Sequence, residues 1–137
     1  MFKYAALLPF AALALAGCGE EKEAPPAVEE PLGAYKAGGT EPGWSVNISE
    51  NTMDVTASYG EDKFSIPINS SRKTADGWIV KGFDDKHNMN LTIMTGKECN
   101  DGMSDRVYAD TVTATAGGIG TLEGCGGDIT EGGDTAP

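Results

Sequence analysis

A stretch of ten residues, 99–108, gathers most of the reactive side chains and reads Cys-Asn-Asp-Gly-Met-Ser-Asp-Arg-Val-Tyr. Two kinds of chemistry are open to it, the pairing of a thiol and the binding of a cation by carboxylates. One of the three cysteines, Cys18, lies near the start of the chain, far from the other two. The other two, Cys99 and Cys125, are expected to form a disulfide in an oxidising compartment. A zinc site would need more ligands than this pair and the lone His87 supply. We therefore predict a stapled loop.

The acidic side chains of this stretch are the candidates for binding a cation. Asp101 and Asp105 flank a glycine and, with Glu98, could supply oxygen ligands to calcium. Their spacing does not match the calcium-binding loop, in which acids alternate before a glycine. We expect instead that Asp101 or Asp105 pairs with Arg106 and caps backbone groups of the loop. The prediction is no metal ion and no cofactor, with the three acids kept as the weaker alternative.

The rest of the chain offers little for catalysis. Asp84, Asp85 and His87 form a polar cluster, but it falls in a predicted turn between two strands, where such residues are common. No serine lies in a Gly-x-Ser-x-Gly context, and no glycine-rich loop opens a predicted helix. We predict no catalytic residues and a protein that is not an enzyme.

The first residues point to a lipid anchor. Residues 1–17 combine an early lysine with an apolar run, as in a secretory signal peptide. The run is short for a membrane span, which takes about 20 apolar residues. Residues 15–18, Leu-Ala-Gly-Cys, resemble the lipobox of bacterial lipoproteins, in which Cys18 receives acyl chains such as palmitate. Several acyl chains anchor a protein stably. Because Gly19 stands where an aspartate would favour the inner membrane, we expect the outer membrane, facing the periplasm.

Composition divides the rest of the chain into three parts. Residues 18–33 carry the lipidated cysteine and a linker rich in glutamate and proline, which cannot bury enough surface to fold. Residues 34–127 are expected to form one small β domain, and residues 128–137 a disordered tail. The formal net charge is −11. So acidic a protein is not expected to bind nucleic acid, which requires a basic patch.

Apolar and polar residues alternate in short segments throughout the β domain, as in antiparallel strands. We predict an all-β fold, a small antiparallel barrel or sandwich of about seven strands with one disulfide. Pro67 predicts an edge strand or a bulge, and one turn of helix is allowed around 103–108. Trp44 is expected to anchor the core. The predicted strands are 44–48, 53–57, 64–68, 78–83, 89–95, 110–116 and 120–125.

Three motifs resemble those of an uncharacterised family of bacterial envelope lipoproteins. They are Gly-x-Glu-Pro-x-Trp-x-Val at 39–46, Cys-x-Asp-Gly-Met-Ser-Asp-x-x-Tyr at 99–108 and Gly-Cys at 124–125. In such relatives the module stands alone or beside small β domains of the heat-shock lipoprotein and lysozyme-inhibitor kinds. The resemblance implies the β fold and the bridge, but no established activity. The candidate binding residues in these motifs are Glu41, Trp44, Asp101, Met103, Asp105, Arg106 and Tyr108.

The expected function is a non-enzymatic binding or structural module held on the membrane by its lipid anchor. Its partner would be an envelope protein or a cell-wall component, and the pattern of residues does not indicate an oligomeric state. One alternative is an inhibitor of c-type lysozyme, because such lysozymes are basic and this chain is acidic. The other is a module that binds a metal ion or a small ligand through Glu98, Asp101 and Asp105.

Overall fold

The computed structural model describes residues 28–132, with side chains from residue 30 onward. Cys18, the predicted signal peptide and residues 133–137 lie outside this range. No helix within it is long and apolar enough to cross a membrane. A 3-10 turn, Ser58–Gly60, follows the fourth strand. The strands are β1 (Val28–Glu29), β2 (Tyr35–Thr40), β3 (Gly43–Ser49), β4 (Thr52–Ala57), β5 (Asp62–Lys73), β6 (Gly77–Phe83), β7 (Asn88–Met94), β8 (Cys99–Asn100), β9 (Val107–Ala116) and β10 (Gly120–Glu131).

Eight of these strands form a closed antiparallel barrel, which confirms the predicted all-β fold with one disulfide. Each strand from β2 to β6 pairs with the next along the chain. Strand β7 pairs with β9, β9 with β10, and β10 closes the barrel on β2. The short strands β1 and β8 add to β5 and β9. Strands β2 and β6 therefore lie on opposite sides of the barrel.

Period-two alternation fills the barrel with side chains. In β3 and β7 every second residue is buried and the residues between them are exposed. An eight-stranded barrel is just wide enough for such side chains to fill its interior. The buried apolar residues of β3, β4, β7 and β9 are Trp44, Val46, Ile48, Met53, Val55, Ala57, Met89, Leu91, Ile93, Val112, Ala114 and Ala116.

Strand β2 is the barrel strand that the alternation pattern did not predict. Its sequence, Tyr-Lys-Ala-Gly-Gly-Thr, contains two glycines, which are depleted in strands. Tertiary packing explains one of them, since a side chain at Gly39 would collide with the indole of Trp44 and with the backbone of Glu123. The residues that weaken the strand signal are therefore the ones that let the tryptophan approach the backbone.

Short paired segments extend past both predicted boundaries of the β domain. Strand β1 lies inside the predicted linker and pairs with the end of β5. Strand β10 continues to Glu131, and Ile129 pairs with Tyr108, so the predicted disordered tail begins with strand. Both segments are held by backbone pairing, which a composition argument based on apolar content does not detect.

Strand β5 decides between the edge strand and the bulge that Pro67 predicted, in favour of the bulge. The strand is not an edge, because it pairs with β4 as far as Pro67 and with β6 from Ile68 onward. A register irregularity falls between Ile68 and Ser70. Pro67 thus lies where β5 stops pairing with β4 and begins to pair with β6. This position is close to the bulge that was the alternative prediction. Because β4 stops pairing at Pro67, the far end of β5 is left open for β1.

Ser71 gives a prediction about stability. Ser71 is 9% exposed, and its hydroxyl has no hydrogen-bond partner within the described part of the chain. A buried polar group without a partner costs about 1–3 kcal/mol. Ser71→Ala should therefore raise the free energy of unfolding by about 1 kcal/mol, measured by denaturant titration. The control is Ser65→Ala, because the Ser65 hydroxyl in the same strand donates to Asp54. A destabilised Ser71→Ala variant would show that the hydroxyl is satisfied, for instance by a buried water.

Candidate functional site

The disulfide joins strand β8 to strand β10. Cys99 pairs with Tyr108 at the start of β9, and Cys125 lies in β10, where it pairs with Thr111. The Cα atoms of the two cysteines are 5.4 Å apart, and Cys125 is buried. The predicted bridge is confirmed. It holds one end of residues 98–106, here called the stapled loop, against the barrel wall.

The carboxylate of Asp101 organises the stapled loop. Its Oδ1 accepts hydrogen bonds from the backbone N–H groups of Met103 and Ser104, both at 2.9 Å. The Ser104 hydroxyl lies within hydrogen-bond distance of both carboxylate oxygens. The Met103 hydrogen bond is the main cause that lowers the pKa of Asp101, and the charge of Arg106 adds a smaller effect. The expected capping of backbone groups by Asp101 is therefore present.

Asn100 also fixes this loop, from the other side. The sequence did not reveal this role of its side chain. Its side-chain oxygen accepts from the N–H of Gly102 at 2.7 Å, and its side-chain nitrogen donates to the carbonyls of Ser104 and Arg106. Gly102 has a φ of 75°, a left-handed conformation that suits glycine. An Asn-Asp-Gly sequence is a turn signal that could have revealed this role.

The helical turn allowed around 103–108 does not form. Residues 102–105 are bends, and strand β9 begins at Val107. Side chains that bond to nearby backbone groups compete with helical hydrogen bonds. Here the side chain of Asn100 donates to the carbonyl of Ser104, which in a helical turn would have to accept from the N–H of Tyr108.

The acids of the loop do not assemble as a cation site. Within residues 28–132 no three His, Cys, Asp or Glu side chains are grouped so that they could hold a metal ion. Asp101 already accepts hydrogen bonds from Met103 and Ser104. The structure therefore does not bring Glu98, Asp101 and Asp105 together as the calcium alternative requires.

A groove of about 640 Å³ separates the stapled loop from the barrel. Thr40 and Glu41 line it from the end of β2, Met103 from the loop, and Glu123 from β10. The Thr40 hydroxyl donates to the backbone carbonyl of Asp101 at 3.2 Å, which ties the loop to β2. Several of the predicted motif residues contribute to this groove, among them Glu41, Asp101 and Met103.

A second cavity of about 400 Å³ adjoins the first. Trp44, Tyr108 and Ile129 line it, and it shares Thr40 and Asp101 with the larger groove. Five of the seven candidate binding residues therefore meet at these two cavities: Glu41, Trp44, Asp101, Met103 and Tyr108. The other two, Asp105 and Arg106, line neither cavity.

Trp44 occupies the core beneath these cavities. It is 4% exposed, and its indole N–H donates to the carbonyl of Glu123 at 3.1 Å. Side chains at Gly39 or Gly124 would collide with its ring. Its main role is therefore the core anchor that the sequence predicted, and it offers little surface to a ligand.

A buried acid, Asp110, positions the chain that leads into the stapled loop. One carboxylate oxygen accepts from the Tyr35 hydroxyl at 2.8 Å and the other from the N–H of Gly96 at 3.0 Å. Burial, with Asp110 as the next cause, raises the pKa of Tyr35. The interaction joins β2 and β9 to the turn after β7. Its partners lie 75 residues apart in sequence, so no local pattern predicts it.

The second polar cluster forms a turn, as expected. Asp84 Oδ1 accepts from the N–H groups of Lys86 and His87 at 2.8 and 2.7 Å, and these bonds lower the pKa of Asp84. The His87 ring stacks on Phe64, with ring centroids 4.3 Å apart. Asp84 therefore does in the β6–β7 turn what Asp101 does in the stapled loop.

The titration of Asp101 gives a testable pH dependence. Because its pKa is lowered in the fold, its contribution to stability is present above the ordinary value of 3.8 and is lost as the pH falls through the lower folded value. The amide proton shifts of Met103 and Ser104 should move with a midpoint below 3.8 in NMR titrations. The Gly102 amide, which donates to Asn100, should stay unchanged. A midpoint at or above 3.8 would contradict the capping role.

No protein-family model, curated protein or solved structure matches the chain. The fold and the site define its class as an eight-stranded antiparallel β-barrel with a disulfide-stapled loop beside a surface groove.

Proposed function

We propose that this protein is a lipid-anchored, periplasm-facing envelope lipoprotein whose barrel binds an envelope protein through the stapled loop and its groove. The observation that carries the proposal is a protruding loop held by a disulfide and by its own hydrogen bonds beside a groove of about 640 Å³. A loop ordered before binding loses little conformational entropy when a partner docks.

The anchor rests on the lipobox at residues 15–18 and on the resemblance to envelope lipoproteins. Nine residues, 19–27, separate Cys18 from strand β1. A chain of that length spans at most about 30 Å when extended. The barrel would therefore sit within a short distance of the membrane, able to meet partners in or near the outer membrane.

Binding is favoured over catalysis because the reactive side chains are already engaged in contacts within the protein. Asp101 is engaged with backbone groups of its own loop. His87, the single histidine, stacks on Phe64 in a turn and lines neither cavity of the candidate site. The exposed Met103, which lines the groove, suits contact with another molecule.

Cell fractionation tests the anchor. The full chain should sediment with the outer membrane, and Cys18→Ser should move it to the soluble periplasmic fraction. If the Cys18→Ser protein still sediments with membranes, Cys18 is not the membrane anchor.

Crosslinking in the native envelope tests the binding site. The full chain, recovered through a carboxyl-terminal tag, should carry a crosslinked partner protein. The yield of this crosslinked partner should fall strongly in the Asp101→Ala variant. Asp84→Ala is the matched control, because it removes an equivalent backbone cap from a turn outside the groove. Equal recovery from both variants would place the binding surface elsewhere.

An inhibitor of c-type lysozyme is the second candidate function. The protruding loop with exposed Met103 favours it, since a rigid loop can enter an enzyme's cleft, and the negative charge of the chain would steer association with a basic enzyme. The full-length Cys18→Ser protein should then inhibit lysozyme at an equimolar ratio. Unchanged lysis of a bacterial cell-wall suspension would eliminate this candidate.

A further inference from the structure

Two exposed apolar side chains lie on either side of the turn between β2 and β3. Tyr59 is 74% exposed and Met103 is 73% exposed, more than any other large hydrophobic residue in the described part of the chain. The Tyr59 ring lies directly over Gly43, where a Cβ atom would be 2.8 Å from it. Met103 shares the large groove with Thr40 and Glu41. The two side chains therefore flank residues 40–43.

The backbone holds Tyr59 in this exposed position. Ser58 and Tyr59 have φ angles of 50° and 57°, a left-handed conformation that is uncommon outside glycine. The Ser58 hydroxyl donates to Asp62, and the Ser58 carbonyl accepts from the N–H of Glu61, so the turn is fixed. An exposed ring gains little core burial from such a conformation. Outliers of this kind are concentrated at binding surfaces.

The surroundings of the two side chains are mainly acidic. Four cationic side chains also belong to the neighbouring segments or line the two cavities: Lys36, Lys63, Lys97 and Arg106. The acidic residues of the same segments outnumber them and are Glu41, Glu61, Asp62, Glu98, Asp101, Asp105 and Glu123. The charge around the turn therefore has the same sign as that of the whole chain, −11.

We infer that Tyr59, residues 40–43 and Met103 form one docking surface for a basic protein, here called the Tyr59–Met103 surface. Aromatic residues and methionine are enriched in the cores of protein interfaces, and tyrosine is frequent among the residues that carry binding energy. The acidic rim would steer a positively charged partner and set its orientation. The inference rests on the proposed binding function and adds Tyr59 and the chemistry of the partner.

The charge also disfavours two other occupants. A second copy of this chain would bring one acidic surface against another, and the repulsion between like charges disfavours that contact. Anionic lipid head groups would be repelled for the same reason. A basic protein with an apolar patch is the occupant that matches both the side chains and the charge.

Site-specific photocrosslinking tests the inference in the native envelope. A benzophenone amino acid is placed in the full chain at position 59, at position 103 or, as control, at position 83. Phe83 is 55% exposed but belongs to β6, on the opposite side of the barrel from β2. Positions 59 and 103 should crosslink the same protein, identified by mass spectrometry and carrying a net positive charge. Position 83 should not.

Binding of that purified partner to the full-length Cys18→Ser protein provides the quantitative arm. Tyr59→Ala and Met103→Ala should each raise Kd by about tenfold or more, and Phe83→Ala by less than about twofold. Raising the salt concentration from low to high should weaken binding, because the steering charges are screened.

The outcomes separate this inference from the proposed function. A partner crosslinked at position 103 but not at 59 leaves the proposed function standing and overturns the docking surface. An acidic partner, or a second copy of the chain, at both positions overturns the assignment of a basic protein. No crosslink at either position, together with no effect of Asp101→Ala in the envelope experiment, overturns both.

Discussion

Removing the disulfide by substituting Cys99→Ala together with Cys125→Ala should lower the free energy of unfolding by about 3.5 kcal/mol. The bridge closes a long loop, with a sequence separation of 26, and so restricts the unfolded chain. Small domains have modest stability, which makes a loss of this size a large fraction of the total. Alanine is chosen because Cys125 is 3% exposed and a serine there would bury a hydroxyl.

Denaturant titration of the oxidised protein, the reduced protein and the double variant measures this effect. The reduced protein and the double variant should have similar midpoints, both below that of the oxidised protein. Strand β8 has only two residues paired with β9, so the stapled loop should also lose order when the bridge is absent. A decrease smaller than about 1 kcal/mol would contradict the expectation that the bridge stabilises the fold by restricting the unfolded chain.

Most of the barrel strands were predictable because each carries its own pattern. Residues 44–48 and 89–94 alternate between the packed interior and the surface, and this alternation is a local property of the sequence. Strand β2 was not predictable in this way. Gly39 serves the packing of Trp44 against the backbone, a reason that exists only once β2, β3 and β10 have come together.

The candidate site shows the same division. The disulfide followed from the number of cysteines, and the capping role of Asp101 followed from the turn chemistry around it. The groove did not, because it is formed by segments from β2, β10 and the stapled loop that are far apart in sequence. Tyr59 was missed for a similar reason, since only the barrel places its ring over Gly43.

The role of Asp110 could not be predicted from the sequence. Asp110 was placed in a predicted strand without a role, whereas its carboxylate accepts from Tyr35 and Gly96. A carboxylate inside a strand reveals its partners only through the neighbours that the sheet provides. Sequence patterns therefore identify such a residue as unusual without saying what it binds.

Trp44→Ala should lower the free energy of unfolding by about 3–5 kcal/mol, the range found when a large buried aromatic is truncated. Trp44 is 4% exposed. Gly39 and Gly124 lie against its ring and have no side chain that could move into the space left by the indole. The carbonyl of Glu123 would also lose the indole donor. Trp78→Ala is the matched control, because Trp78 is only partly buried at the edge of the core and should cost less than half as much.

Trp44→Phe separates the two contributions of the indole. It keeps most of the apolar contact but removes the N–H that donates to Glu123, so the expected loss is about 1–2 kcal/mol. If Trp44→Phe is as destabilising as Trp44→Ala, the hydrogen bond dominates; if it is neutral, packing alone explains the residue.

An intermediate loss of stability in Trp44→Phe should also affect the groove. The indole lies between Gly39 and Gly124, on the two strands that line the groove, so a smaller ring should loosen that wall before the barrel unfolds. Partner binding would then decrease in Trp44→Phe although the residue itself is buried.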